Sequence, residues 1–515
     1  MENSSPIKII FWIDSNLIDF ALSYYLDKKI NYELYAIIDI TNKPKNFFET
    51  QNLVKFKKFW FYHDNIKQNY VADRKFLEKF EKSNNLNLLE LISNDRHFNK
   101  FNEFHQFSDE QILSIVEQEC IFFDKILTEV KPMFMVTQET ALRSHHLLYL
   151  LSKSKKIKIL MLNYANFGKL CYISENHHKI DFEGNLDNVE GKNLGFEELQ
   201  AKRKSINLSK TLVNFNKIQA GSMKEKLKAG ISFLNSKNSN IKTHYTYFGR
   251  TKFNVLFYEI KEILRKKSRE NFVNKYLKKK VNYDCSYLFF PLHQEPERSL
   301  LIACPYYTNQ IETIRHIVKS MPIGYKLLVK EHPTQGPARG WRDISFYKEI
   351  MQIPNVDLIH PSVSNDKLIQ NCSLVISAGG TSSFEATFFQ KPSIIFADVG
   401  YSILPSVFKV NSFHELPTII SIALKTEVDN SDLDRYVTLL ENNSFTLDYL
   451  KLLTLFNDKF FFGGHSVDVE ISPLQMKLFL DLNNNMFTTI TDQFIKKINN
   501  YLETESKITK SQKTD

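Results

Sequence analysis

The chain has 515 residues, with 67 Lys and Arg against 58 Asp and Glu, and so a formal net charge of +9 with histidine neutral. Its 43% hydrophobic and 24% charged residues exclude wholesale disorder, and 15 Gly with 15 Pro exclude a collagen-like or low-complexity chain. Five cysteines without a CxxC pair exclude a disulfide framework and a zinc ribbon, and a dilute positive charge without a recognition motif argues against nucleic acid as a partner.

The apolar run at 7–13 (IKIIFWI) is broken by Lys8 and followed by no small-residue cleavage site, so no signal peptide is expected. No stretch approaches the roughly 18 to 20 apolar residues that span a bilayer. A cytoplasmic protein is the expectation. The same run reads as a first strand, ending in Asp14-Ser15-Asn16, a cluster suited to start a helix. Further strands are expected at 34–40, 59–62, 133–136 and 157–162, alternating with helices, as in a parallel sheet covered on both faces. Residues 180–280 are polar and lysine-rich. Strand patterns return at 287–291, 326–330, 356–359, 374–377 and 393–396, and from about 410 the chain reads mostly helical. The expected division is an N-terminal Rossmann-like lobe (1–180), a polar basic helical insertion (181–282), a C-terminal Rossmann-like lobe (283–410), a helical segment (411–505) and a disordered tail (506–515). The expectation is an α/β protein of two Rossmann-like lobes with a cleft between them; the glycosyltransferase B arrangement is the commonest of this kind, and a periplasmic-binding-type clamp also fits, though the missing signal sequence counts against it.

In such sheets ligands bind at the C-terminal ends of the strands. Three strand ends of the second lobe carry chemistry. The strand at 374–377 runs into Gly379-Gly380-Thr381-Ser382-Ser383 and then a helix holding Glu385. Glycines let a backbone approach a ligand, the hydroxyls donate to phosphate oxygens, and Glu385 is placed to accept from ribose hydroxyls. The strand at 326–330 ends in Lys330-Glu331-His332-Pro333, where His332 can donate to a phosphate or move a proton near neutral pH. The strand at 287–291 leads into His293, Gln294, Glu295 and Arg298. Each element alone also reads as ordinary: a capped strand-turn-helix, a structural histidine, a polar loop. Their occurrence within one α/β unit favours a shared ligand.

Together the stretches FFPLHQEPE (289–297), LVKEHP (328–333) and SAGGTSSFEATFFQKPSIIF (377–396) resemble the capsular polysaccharide biosynthesis glycosyltransferases, a group that includes the Kdo transferases of capsule assembly. The pair of His-Pro and a Ser/Thr-rich turn is also similar to that of bacterial CMP-sugar sialyltransferases. The resemblance covers about a quarter of the chain. It implies a CMP-activated donor of Kdo or a related acidic sugar, held by the second lobe, and a polysaccharide or glycolipid acceptor. It also implies that His332 and the 379–383 turn stabilise the departing phosphate while Glu385 holds the ribose, with neither a metal nor any cofactor. The first lobe matches no motif of the family. Strand-end position alone makes Asp14, Glu139 and His145 candidates for the base.

Other features have plainer readings. Asp432-Leu433-Asp434 starts a helix better than it holds a metal, and the pairs His145-His146 and His177-His178 lack the i,i+4 spacing of helical metal sites. The basic segment at 257–280 is ordinarily a solvated helix. As an amphipathic basic helix it alternatively docks on anionic lipid at the inner face of the membrane. Two other functions fit the sequence: a UDP- or GDP-sugar transferase or 2-epimerase on the same fold, and a non-catalytic glycan- or membrane-binding assembly factor.

Overall fold

The computed structural model describes residues 6–99, 101–205 and 223–511. The first lobe is built on β1 (Lys8–Asp14), β2 (Glu33–Asp39), β3 (Lys58–Phe61), β4 (Phe134–Thr137), β5 (Lys158–Tyr164) and β6 (Leu170–Ser174). Strands β1 to β5 are parallel, in the order β5-β4-β1-β2-β3, and β6 pairs antiparallel with β5. The sheet is covered on both faces, so β1, β2 and β5 each bury five residues in a row, as in KIIFWID. Helix α1 (Ile18–Lys29) follows a turn in which Asn16 N–H donates to Asp14 Oδ1 and Ile18 N–H to Asn16 Oδ1, each at 2.9 Å. The acid-amide cluster after β1 thus folds the turn locally. Helices α2 (Asp109–Val130) and α3 (Arg143–Ser154) complete one face.

The connecting region holds α4 (Phe196–Ser205), α5 (Met223–Asn235) and α6 (Lys252–Tyr276). The second lobe follows with β7 (Tyr287–Pro291), α7 (Gln310–Ser320), β8 (Lys326–Lys330), β9 (Val356–Ile359), α8 (Asn365–Asn371), β10 (Leu374–Ser377), α9 (Thr381–Thr387), β11 (Ser393–Ile395) and β12 (Val407–Lys409). Its six strands are all parallel, ordered β12-β11-β10-β7-β8-β9. Strand order reverses between β7 and β10, and the crevice at their C-terminal ends is where such sheets take ligands. Two doubly wound lobes facing each other form the glycosyltransferase B architecture.

The segment at 411–505 divides. Helices α10 (Leu416–Ala423) and α11 (Asn430–Asn442) pack on the second lobe's core. The chain then crosses back: β13 (Phe445–Thr446) adds an antiparallel edge to β6, and α12 (Tyr449–Phe460), α13 (Pro473–Leu482) and α14 (Asn484–Ser511) close the first lobe's core around Phe20, Phe47 and Phe487. Apolar periodicity identifies these helices but not which lobe their apolar faces meet. Within 506–515, read as a disordered tail, α14 continues through Ser511, and 512–515 lie outside the described residues. No helix among the described residues is long and apolar enough to cross a membrane.

Candidate active site

At the C-terminal ends of β7, β8, β9 and β10 lies a cavity of about 510 Å³. Lys330, His332, Thr381, Ser382 and Glu385 line it together with the 361–366 loop. Four strand ends distant in sequence therefore meet in one space. His332 accepts at Nδ1 from the Thr334 hydroxyl at 2.8 Å and from the Thr334 backbone N–H at 3.3 Å, which puts the proton of the neutral ring on Nε2. Burial lowers its pKa below the usual histidine value, against the pull of Glu297 and Glu331. The ring is a neutral donor at physiological pH.

Lys330 is pushed down to about 8 by burial, with Glu385 and Asp366 acting the other way, and its ammonium donates to Asn365. Burial raises the Glu385 carboxyl, which Arg203 of α4 partly offsets from 3.3 Å. Arg203 also donates to Asp366 at 2.7 Å. The cavity thus has an ammonium, an imidazole N–H and hydroxyls for an anion, and carboxylates for sugar hydroxyls.

Most of the remaining second-lobe residues picked out in the sequence hold this site in shape. Gly379 has φ +153, and a Cβ there would lie 2.6 Å from that of Ala397, so only glycine fits. A Cβ on Gly380 would sit 3.0 Å from His293 Cε1. His293 Nε2 accepts from Ala378 N–H at 3.0 Å, welding the loop after β7 to the turn after β10, while Gln310 of α7 brackets the His293 backbone on both sides. Ser383 is buried and bonds Ser377 Oγ at 2.7 Å, so the two serines of the turn differ: Ser382 lines the cavity and Ser383 anchors it. Glu331 is fully buried; Arg342 Nε at 2.9 Å and Tyr347 Oη at 2.7 Å donate to its carboxylate, which also receives the His332 N–H at 2.6 Å. It orients the His332-Pro333 turn. Glu295 accepts from Gln310 at 2.7 Å and pairs with Arg342 at 3.2 Å. Gln294 is half-buried beside it. Arg298 leaves the cavity for the other lobe, where its Nε donates to Thr140 O at 2.8 Å and lies 3.5 Å from Glu139.

Glu139 also pairs with His177 Nε2 at 2.9 Å, and these two neighbours hold its carboxyl well below the usual range despite burial. Glu139, His177 and His178 bring ligand atoms within 4.8 Å of one another, close enough for an ion, but Arg298 already places a positive charge against that carboxylate. His145 is buried and stacked on Trp12, with burial lowering it to about 3. Glu139 keeps 35% of its side chain exposed, whereas Asp14 lines a second cavity of about 290 Å³ at the C-terminal ends of β1 to β3, with Asp39, His63, His97, Arg143 and Arg250. Burial raises Asp14 to about 6, and the nearby charge of Asp39 adds to this. Asp39 bonds His63 Nε2 at 3.0 Å. A third cavity, of about 520 Å³, shares Asp95 with this one and reaches Glu295 and Glu297 of the second lobe.

Sequence reasoning missed Arg203, Arg342, the Asp39–His63 pair and the 361–366 loop. The loop carried a usable signal, since Ser362, Ser364, Asn365 and Asp366 follow β9 at the same sheet edge as the other elements, and so did Asp39, which ends β2 as Asp14 ends β1.

Comparison with known proteins agrees with the family resemblance of the second lobe. Residues 214–404 match the capsule polysaccharide biosynthesis protein family. The family match takes in α6, both switch-point strands and the His332 and Gly379 turns. Among solved structures, the chain is similar to the UDP-GlcNAc 2-epimerase of Methanocaldococcus jannaschii, at 14% identity over 85% of this chain and 100% of that one, with a TM-score of 0.23. It is similar also to the UDP-GlcNAc 2-epimerase of Neisseria meningitidis, at 10% identity over 84% and 99% with a TM-score of 0.21. The calicheamicin glycosyltransferase CalG4 aligns at 10% identity over 85% and 94%, with a TM-score of 0.25. No curated protein is similar to the chain in sequence.

Proposed function

We propose that the protein is a glycosyltransferase that moves Kdo or a related acidic sugar from a CMP-activated donor to a capsule or other surface polysaccharide or glycolipid acceptor. The observation that carries this reading is the convergence of His332, Lys330, Thr381, Ser382 and Glu385 on one cavity at the switch point of the second lobe. The CMP phosphate lies against Lys330, the His332 Nε2–H and the two hydroxyls, and Glu385 takes ribose hydroxyls. As the bond between the sugar's anomeric carbon and the phosphate oxygen breaks, negative charge grows on the phosphate. Fixed donors stabilise that charge more than they stabilise the intact donor. The acceptor hydroxyl attacks the anomeric carbon and loses its proton to Asp14, whose raised pKa suits a base working near neutral pH. No step in this scheme draws on a metal or a cofactor.

The test is a thermal-shift screen with CMP, CDP, UDP, GDP and ADP. A nucleotide at 100 times its dissociation constant adds about 2.7 kcal/mol to stability. A shift with CMP alone, lost in His332→Ala, is the expected result. A shift with UDP or GDP alone replaces the donor assignment, and silence with every nucleotide removes the transferase reading.

A further inference from the structure

An amphipathic helix on a protein surface normally buries its apolar stripe and shows its polar face to water. Helix α6 does the reverse. Phe253, Leu256, Phe257, Ile260, Ile263 and Leu264 recur at i, i+3, i+4 and i+7 and form one stripe. All six are exposed, Phe253 at 77% and Leu264 at 68%. The helix is fixed to the body from its other side: Tyr258 packs on Phe104 at 5.0 Å, Arg265 reaches Glu103 at 3.3 Å, Arg269 pairs with Asp343, and Phe272 and Val273 join the second lobe's packing. Helix α5 repeats the pattern with Leu227, Ile231 and Leu234, all exposed, and its C-terminal end meets the start of α6, where Lys252 donates to Leu234 O. Nine large apolar side chains outside a core mark an interaction surface rather than scattered exposure.

The charge says what covers it. Residues 223–280 carry 16 Lys and Arg against 4 Glu, leaving 51 basic against 54 acidic residues in the rest of the chain. The protein's whole excess of positive charge lies beside its exposed apolar stripe. The exposed face of α6 passes from the apolar stripe to Lys267 and Lys275, and Lys278, Lys279 and Lys280 follow the helix. A second copy of this chain would bring like charge against like charge across such a face. An anionic bilayer takes the apolar side chains into its interfacial region and pairs the lysines with phosphates.

We infer that α5 and α6 form a docking surface for an anionic phospholipid membrane, one that lies on the bilayer without spanning it. This stands apart from the transferase reading, and its test does not depend on turnover. The full-length protein is sedimented with vesicles of phosphatidylglycerol mixed with phosphatidylcholine and with vesicles of phosphatidylcholine alone. Binding is expected to the anionic vesicles only, falling as salt is raised. Phe253→Gln/Phe257→Gln/Ile260→Gln abolishes it, and Lys267→Gln/Lys275→Gln/Lys280→Gln weakens it on the order of 100-fold. Both variants change exposed side chains, so wild-type melting temperature and circular dichroism are expected. Failure to bind anionic vesicles at low salt overturns the inference. So does binding that the apolar variant retains, or a wild-type dimer in light scattering that this variant dissolves without any vesicle binding.

Discussion

Asp14→Asn separates two consequences of one buried carboxylate. Burial first, and then the nearby Asp39, raises the Asp14 pKa from 3.8 to about 6, while the Asn16 N–H pulls it the other way. A carboxyl that is harder to ionise in the folded state than in the unfolded one costs stability wherever both are charged. The difference corresponds to about 3 kcal/mol. At pH 4 the folded group is protonated and most of the penalty is absent; it grows as pH rises toward 6 and is complete above that. Asparagine keeps the acceptor for Asn16 N–H, at 2.9 Å in the wild type, without the charge. The variant is therefore expected to be more stable than wild type by up to about 3 kcal/mol at pH 7.5 and nearly equal to it at pH 4, measured by urea denaturation at both. The same variant removes the proposed base, so transfer falls by roughly 10² to 10⁴ with the apparent pKa near 6 gone from the rate profile. A stability difference that does not change with pH refutes the burial argument. Unchanged turnover refutes the base assignment and leaves the burial argument intact.

Other outcomes follow from the second lobe. Because burial depresses Lys330 to about 8, its ammonium is lost as pH rises through that value. CMP affinity, measured by calorimetry, is expected to fall above pH 8 in the wild type and to be weak and flat with pH in Lys330→Gln. Arg342→Met leaves Glu331 buried without its cation and is expected to cost about 3 to 5 kcal/mol in urea denaturation, most of it recovered when Glu331→Gln is added. Gly379→Ala forces a Cβ to 2.6 Å from Ala397 Cβ at a left-handed position, so a loss of about 1 to 3 kcal/mol is expected, with a weakened nucleotide-induced shift.

Most parallel strands are legible because strands buried on both faces are short apolar runs, and ten of the thirteen strands among the described residues fall on the runs from 7–13 to 393–396. The three others are β6, β12 and β13, which lie at or next to sheet edges and include segments of two and three residues. Lys330, His332 and Thr381 were legible for a related reason: a polar residue at the end of an apolar run sits at the sheet edge. What the pattern does not carry is partnership across the chain. Nothing near Glu331 announces that Arg342 and Tyr347 will occupy its carboxylate, and nothing in α4 marks Arg203 as the neighbour of Glu385. The orientation of α6 is the sharpest example. Its periodicity shows one apolar face, and only the fold shows that face turned outward.

The return of the chain to its first lobe bears on how the molecule is made. Tyr25 of α1 donates to Leu480 O at 2.8 Å and stacks on Phe487, so the first lobe's core contains residues more than 450 positions apart. The second lobe is nearly contiguous and has its own core. During synthesis it emerges whole while the first lobe still lacks α12, α13 and α14. The part translated first is therefore the part completed last, and until α14 docks, Phe20, Phe47 and their neighbours lack their cover. A nascent chain halted before α12 would display that unfinished face, and a binding partner for exposed apolar surface would find it there rather than on the finished lobe.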